Sequence, residues 1–185
     1  MGGLDDVGGR PTADWHALTG MKRLTLVRHG RAHPARPGLD DFDRPLDEVG
    51  ADEASVLASR LAHRQLPRPG ILTSEAVRCR DTARILAAGL SLTASAVTPA
   101  AEAYLASTGT LLEILRRTPA ACEHLLLCGH NPGLSHLLSL LTSTPCRREL
   151  PTAGAASLLV DAGSWSALDP GCAQLDFLET PQPPD

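Results

Sequence analysis

Arg28 and His29 in the run Leu24-Thr25-Leu26-Val27-Arg28-His29-Gly30, together with Arg78 and with His130 in Gly129-His130-Asn131-Pro132, have side chains suited to one shared chemistry. Guanidinium presents planar, paired donors that match phosphate oxygens, and neutral imidazole is a nucleophile toward phosphorus. Arginine beside histidine at a strand end therefore suggests phosphoryl chemistry. Taken singly, each has a plainer reading: a solvated Arg-His pair, a solvated helix arginine at Arg78, a structural histidine at His130. The elements that carry them bear on the choice.

Leu24 to Val27 is apolar throughout, as suits a parallel strand covered on both faces. Arg28 and His29 then fall at its carboxyl end, the edge of an open α/β sheet where ligands bind, and Gly30 permits a sharp turn there. Pro34, Pro37 and Pro45 forbid a regular helix in the segment that follows, so it lies as a loop over the same edge. Its Asp40, Asp41 and Asp43 read as a solvated acidic stretch, with a cation site as the alternative.

Val49, Val56, Leu57 and Leu61 space an amphipathic helix from about Asp47 to Gln65, stopping before Pro67. Gly70 to Ser74 is a short second strand, and Glu75 to Leu90 a second helix with Ser74 as its amino-terminal cap. Arg78 sits in the first turn of that helix, where the dipole favours anions, so a phosphate held by Arg78 would explain the placement. Val97 belongs to a short strand, and Ser107 or Thr108 caps a helix from about Thr110 to Arg117. His124 to Cys128 repeats the first unit: an apolar strand, then Gly129 and His130, then a helix from Leu134 to Leu141. Gly154 to Asp161 and Cys172 to Leu178 are two further strands. Alternating strands and helices predict a three-layer α/β/α sandwich around a mostly parallel sheet.

A chain of 185 residues, 43% hydrophobic, fits one domain, and with only two Trp, two Phe and one Tyr its core must be aliphatic. The formal charge of −4 gives no reason to expect nucleic acid or an anionic membrane as partner. Five cysteines, without a C-x-x-C pair, argue against a disulfide framework or a structural zinc site, and suggest a reducing, cytoplasmic location. Residues 1–20 are Gly- and Asp-rich and precede a second methionine, Met21. They read as a disordered extension or an overcalled start, not as a secretory signal. The folded domain is expected over 21–178, with a proline-rich tail over 179–185. No run has the length of a membrane-spanning helix. His33 and His136 lie near the two key histidines, but Pro34 breaks any helix joining His29 to His33, and no metal site is expected.

The three segments, in this order, resemble the signatures of the histidine phosphatase superfamily, also called phosphoglycerate-mutase-like. Ser74-Glu75-Ala76-Val77-Arg78-Cys79-Arg80-Asp81-Thr82-Ala83 is similar to that family's S-x-x-x-R-x-x-x-T-A pattern, and the resemblance covers roughly Lys22 to Leu178. It implies a phosphoglycerate-mutase-like fold and a phosphatase without cofactor or metal. His29 would be the nucleophile that forms a phosphohistidine. Arg28 and Arg78 would clamp the phosphoryl oxygens, and His130 would donate to them. Positive neighbours would keep His29 neutral. An acidic residue shortly after the third strand serves relatives as general acid, and Glu102 stands at roughly that position.

Only 51 residues, 79–129, separate Arg78 from His130, too few for the insertion with which mutases and acid phosphatases wall in small substrates. With Arg44-Pro45-Leu46 and Glu102-Ala103-Tyr104-Leu105, this compactness resembles the short, SixA-type phosphohistidine phosphatase branch. The expected partner is then a protein carrying phosphohistidine, with a small phosphate ester as the alternative substrate. A catalytically silent phosphate-binding module is the reading from another class. That branch often carries Ala at the position of Gly30, and mutases usually carry Glu or Gln at that of Arg31. Arg31 argues against mutase activity and adds positive charge near the pocket, suited to a more anionic ligand.

Overall fold

The computed structural model of the chain describes residues 21–144 and 149–181. The extension expected over residues 1–20 and the last part of the tail lie outside the described residues. Six strands form one sheet: β1 (Lys22–Arg28), β2 (Gly70–Ser74), β3 (Val97–Ala100), β4 (His124–Gly129), β5 (Ala155–Val160) and β6 (Ala173–Glu179). Their order across it is β3-β2-β4-β1-β5-β6. Every neighbouring pair from β3 to β1 is parallel, whereas β5 runs antiparallel to both β1 and β6. Five strands therefore point one way, and their carboxyl ends share one edge.

The helices are α1 (Glu48–His63), α2 (Val77–Gly89), α3 (Thr108–Arg116) and α4 (Gly133–Thr142). Alternation along the buried strands sets which face each helix covers. Leu125 and Leu127 of β4 join Leu24 and Leu26 of β1 in a cluster with Leu111, Leu115, Leu134 and Leu137 from α3 and α4. Leu126 and Cys128 face the other way, with Val27, onto Leu57, Leu61, Ala83 and Leu86 from α1 and α2. Each fully buried leucine contributes about 1.5–3 kcal/mol, which is how an aliphatic core holds a chain so poor in aromatics. Trp165 is wholly buried, and its Nε1–H donates to Cys122 O at 2.7 Å. No helix among the described residues is long and apolar enough to cross a membrane.

Asp47, read as the first residue of α1, instead caps it by accepting from Gly50 N at 2.8 Å, and Ser107 caps α3 as expected by accepting from Thr110 N at 3.1 Å. Ser74 does not cap α2. The strand runs through it, Glu75 and Ala76 intervene, and Ala76 occupies the cap position without a side-chain bond. The buried Ser74 hydroxyl accepts Ala76 N–H at 3.3 Å and lies 3.0 Å from a ring nitrogen of His130. At the opposite end of the sheet His124 is buried, its Nδ1–H donating to Pro67 O at 2.7 Å and its Nε2 lying 2.9 Å from Thr25 Oγ1. Burial drives its pKa down to about 4, with the charge of Arg23 adding to the effect against the Pro67 hydrogen bond.

Candidate active site

The carboxyl ends of β1, β2 and β4 bring His29, Ser74 and His130 into one pocket, and the first turn of α2 adds Arg78. His29 Nδ1–H donates to its neighbour's carbonyl, Gly30 O, at 2.8 Å, which fixes the tautomer and leaves the Nε2 lone pair outward. That lone pair accepts from Arg78 Nε at 3.3 Å. The His29 pKa is lowered to about 3, mainly by burial. The hydrogen bond to Gly30 O works the other way, and the charges of His130, Arg78 and Arg28 add to the lowering. The imidazole is thus neutral across the physiological range. Positive neighbours do act as expected, but desolvation is the larger cause.

Arg78 is buried and its other nitrogens are also engaged. Nη2 lies 3.4 Å from His130 Nδ1 and 2.8 Å from Asp41 Oδ2, while Nη1 donates to Asp41 O. Guanidinium only donates, so His130 Nδ1 accepts here and its Nε2–H donates to Ser74 Oγ at 3.0 Å. Cys79 Sγ lies 3.4 Å from the same Nε2. The His29 and His130 rings meet edge to face with centroids 5.1 Å apart, and Tyr104 stands over His130 at 5.5 Å.

The spacing of the motif residues has local causes. Thr82 comes one helical turn after Arg78, and its hydroxyl donates back to Arg78 O at 2.7 Å while accepting Gly30 N–H at 3.0 Å. One side chain so ties α2 to the turn beside His29. A Cβ on Gly30 would sit 2.4 Å from Gly50 O, so the turn packs directly on the start of α1 and glycine is required there. Asn131 Nδ2 donates to Leu150 O at 2.9 Å, and Ser135 Oγ donates to Asn131 Oδ1 and accepts Leu150 N. The carbonyl pinned in this way receives Arg28 Nη1 at 2.8 Å.

Of the five residues singled out in the sequence, Arg28, His29, Arg78 and His130 converge and Glu102 does not. Glu102 lies in a 3-10 turn, exposed, and its carboxylate takes Arg117 Nη2 at 3.0 Å. That hydrogen bond holds its carboxyl below the usual range, leaving it ionised and turned toward α3. Arg31 is likewise spoken for. Its Nε donates to Asp47 Oδ2 at 2.7 Å, so much of its charge is answered outside the pocket.

Asp41 and Tyr104 belong to the pocket although the sequence reading gave them no part in it. The loop does lie over the sheet edge as expected, and its 3-10 turn at Asp41–Asp43 carries Asp41 onto Arg78. Tyr104 Oη donates to Asp41 Oδ2 at 2.8 Å, and Arg44 Nη1 reaches Oδ1 at 2.6 Å. Among the described residues no three His, Cys, Asp or Glu side chains converge as metal ligands.

A sheet with this strand order, helices on both faces and His29, Arg78 and His130 gathered at the parallel edge defines a phosphoglycerate-mutase-like α/β sandwich. The solved structure of a provisional phosphohistidine phosphatase, SixA from Agrobacterium tumefaciens, superposes with a TM-score of 0.72 and 28% identity, over 87% of this chain and 99% of that one. The family model of the histidine phosphatase superfamily (branch 1) matches residues 24–125, and the chain belongs to that superfamily. An uncharacterized protein of Mycobacterium tuberculosis is 32% identical over 166 residues, which is 84% of this chain and all of the relative. The adenosylcobalamin/alpha-ribazole phosphatase of Salmonella typhimurium is 26% identical over 189 residues, covering 80% of this chain and 90% of that enzyme. The class of enzyme is accordingly a phosphatase.

Proposed function

We propose that this protein removes phosphate from phosphohistidine on another protein, with His29 as nucleophile. The observation that carries the proposal is the His29 ring, locked by Gly30 O with its Nε2 lone pair facing Arg78. Nε2 attacks phosphorus as the P–N bond to the substrate imidazole breaks, and water then cleaves the phosphohistidine so formed. Arg28 and Arg78 hold the phosphoryl oxygens, and His130, its Nε2–H on Ser74, completes the pocket around the charge that develops on them.

The substrate class is supported by what borders the pocket. Residues 79–129 are used up by α2, β3, two 3-10 turns, α3 and β4, with no inserted subdomain to roof the crevice. A protein surface can reach such a site, and a small ester finds few walls. The likeness to a SixA structure agrees. The likeness to an alpha-ribazole phosphatase favours the second reading, a small phosphate monoester.

Phosphate release in EDTA from a histidine-phosphorylated carrier protein, a phosphoserine peptide, sugar phosphates and an aryl phosphate separates the two. Preference for the carrier, lost in His29→Ala, is the expected result. Preference for a sugar phosphate overturns the substrate assignment, and an active His29→Ala variant overturns the mechanism.

A further inference from the structure

We infer that Asp41 selects a nitrogen leaving group, its carboxylate accepting a hydrogen bond from the distal N–H of the departing imidazole. The assignment rests on the proposal that His29 attacks phosphohistidine. In an in-line displacement the leaving group departs opposite the nucleophile. Arg78 sets its Nε against His29 Nε2 and both its Nη atoms against Asp41, so Asp41 stands across the guanidinium from the nucleophile, on the side toward which the leaving group departs. The Asp41 side chain is 44% exposed, which leaves part of the carboxylate open to a ligand. Arg78 Nη2, Tyr104 Oη and Arg44 Nη1 hold it from three sides at 2.8, 2.8 and 2.6 Å. Phe42 packs edge to face on Tyr104 with centroids 5.0 Å apart, fixing the ring that fixes the carboxylate. Among the described residues no other carboxylate is bonded to Arg28, His29, Arg78 or His130.

The position of this charge decides between leaving groups. A carboxylate touching Arg78 repels every phosphoryl dianion that binds there, so it carries a cost that must be offset by something in the substrate. An alkoxide deepens the cost, since it adds negative charge on that side and needs a proton. Asp41 has none to give: desolvation is the largest single influence and pushes its carboxyl up, but the hydrogen bonds from Tyr104, Arg78 and Arg44 and the charge of Arg78 together outweigh it and bring the carboxyl down to about 2. A phosphoimidazole protonated on its distal nitrogen brings a positive charge to that carboxylate instead. His29 Nε2 then gives its lone pair to phosphorus, and the electron pair of the breaking P–N bond returns to the leaving ring. That ring departs as neutral imidazole with its distal N–H on Asp41. His29 becomes the phosphorylated imidazolium, its Nδ1–H still on Gly30 O. One positive charge has passed from the leaving ring to the attacking ring, and no general acid is used.

The test compares wild type, Asp41→Asn and Asp41→Glu on N-phosphorylimidazole and on p-nitrophenyl phosphate, whose leaving group needs no proton. For Asp41→Asn, kcat/KM should fall about tenfold or more on phosphoimidazole and rise severalfold on the aryl phosphate, because a charge-assisted hydrogen bond is lost and a repulsion relieved. Asp41→Glu, which keeps the charge, should recover most of the phosphoimidazole preference. Equal losses on both substrates would reduce Asp41 to a support for Arg78 and overturn the inference, as would an unchanged ratio. A wild-type enzyme that cleaves the aryl phosphate but not phosphoimidazole is a different result: it removes the phosphohistidine reading, and this assignment with it.

Discussion

Replacing Thr82 by valine asks whether α2 holds the turn beside His29 through a single hydroxyl. Valine keeps nearly the same shape, so packing is conserved while two hydrogen bonds go. The bond to Arg78 O is cheap to lose, because that carbonyl also takes the helical N–H of residue 82. The bond from Gly30 N is not, since this amide is buried and has no other acceptor. An orphaned buried donor costs about 1–3 kcal/mol. In a domain of this size each kcal/mol moves Tm by roughly 2–4 °C, so a loss of about 2 kcal/mol lowers it by roughly 4–8 °C. The same slackening frees Gly30 O, the carbonyl that orients His29, and kcat should fall roughly tenfold with less change in KM. Scanning calorimetry and steady-state kinetics on an aryl phosphate measure both. Thr82→Ser, which keeps the hydroxyl, should restore most of each. A valine variant with wild-type Tm and kcat, or a serine variant as damaged as the valine one, would refute the assigned bridge.

Gly30→Ala should lower the urea midpoint by the equivalent of about 1–3 kcal/mol, because its Cβ meets Gly50 O at 2.4 Å; an unchanged midpoint would mean that the turn and α1 can part freely. Glu102→Gln should leave kcat/KM within about twofold, since the carboxylate serves Arg117, and a tenfold loss would return Glu102 to the role of acid. Stability should decline as pH falls from the ordinary histidine range toward 4. His29 and His124 have folded pKa values of about 3 and about 4, below 6.5, so in that window the unfolded chain binds more protons. Removing the imidazole in His124→Asn should flatten the slope of unfolding free energy against pH across this interval, whatever its offset, and an equal slope would deny that His124 stays neutral in the fold.

Strands and helices were legible wherever one period dominated. The unbroken leucines of β4 could only be a strand covered on both faces, and the helical spacing around Leu57 and Leu61 placed α1 within a few residues. Arg28, His29, Arg78 and His130 were readable because each sits at a strand end or in the first helical turn after one, where position follows from topology. Asp41 was not, since it reaches Arg78 through a loop whose path depends on proline geometry and on the bridge from Ala32 to Leu46. Tyr104 likewise depends on a 3-10 turn that no periodicity announces. Glu102 lies outside the pocket for the same reason. A shift of two residues within that turn separates a side chain over His130 from one facing Arg117. Ser74 was misread as a cap because cap preference cannot tell a strand's last residue from a helix's first neighbour.

The strand order has a consequence for how the protein comes into being. β1 and β2 are first and second in the chain, yet they are not neighbours, because β4 lies between them. His29 and Arg78 are therefore held at their working distance only after residues 124–129 have been inserted as a wedge. On the ribosome the chain carries His29 and Arg78 long before the two can meet. A nascent chain that ends short of β4 has no assembled pocket, which arrives late, with closure of the sheet. Such long-range pairing also slows folding relative to a chain whose sequential strands pair directly.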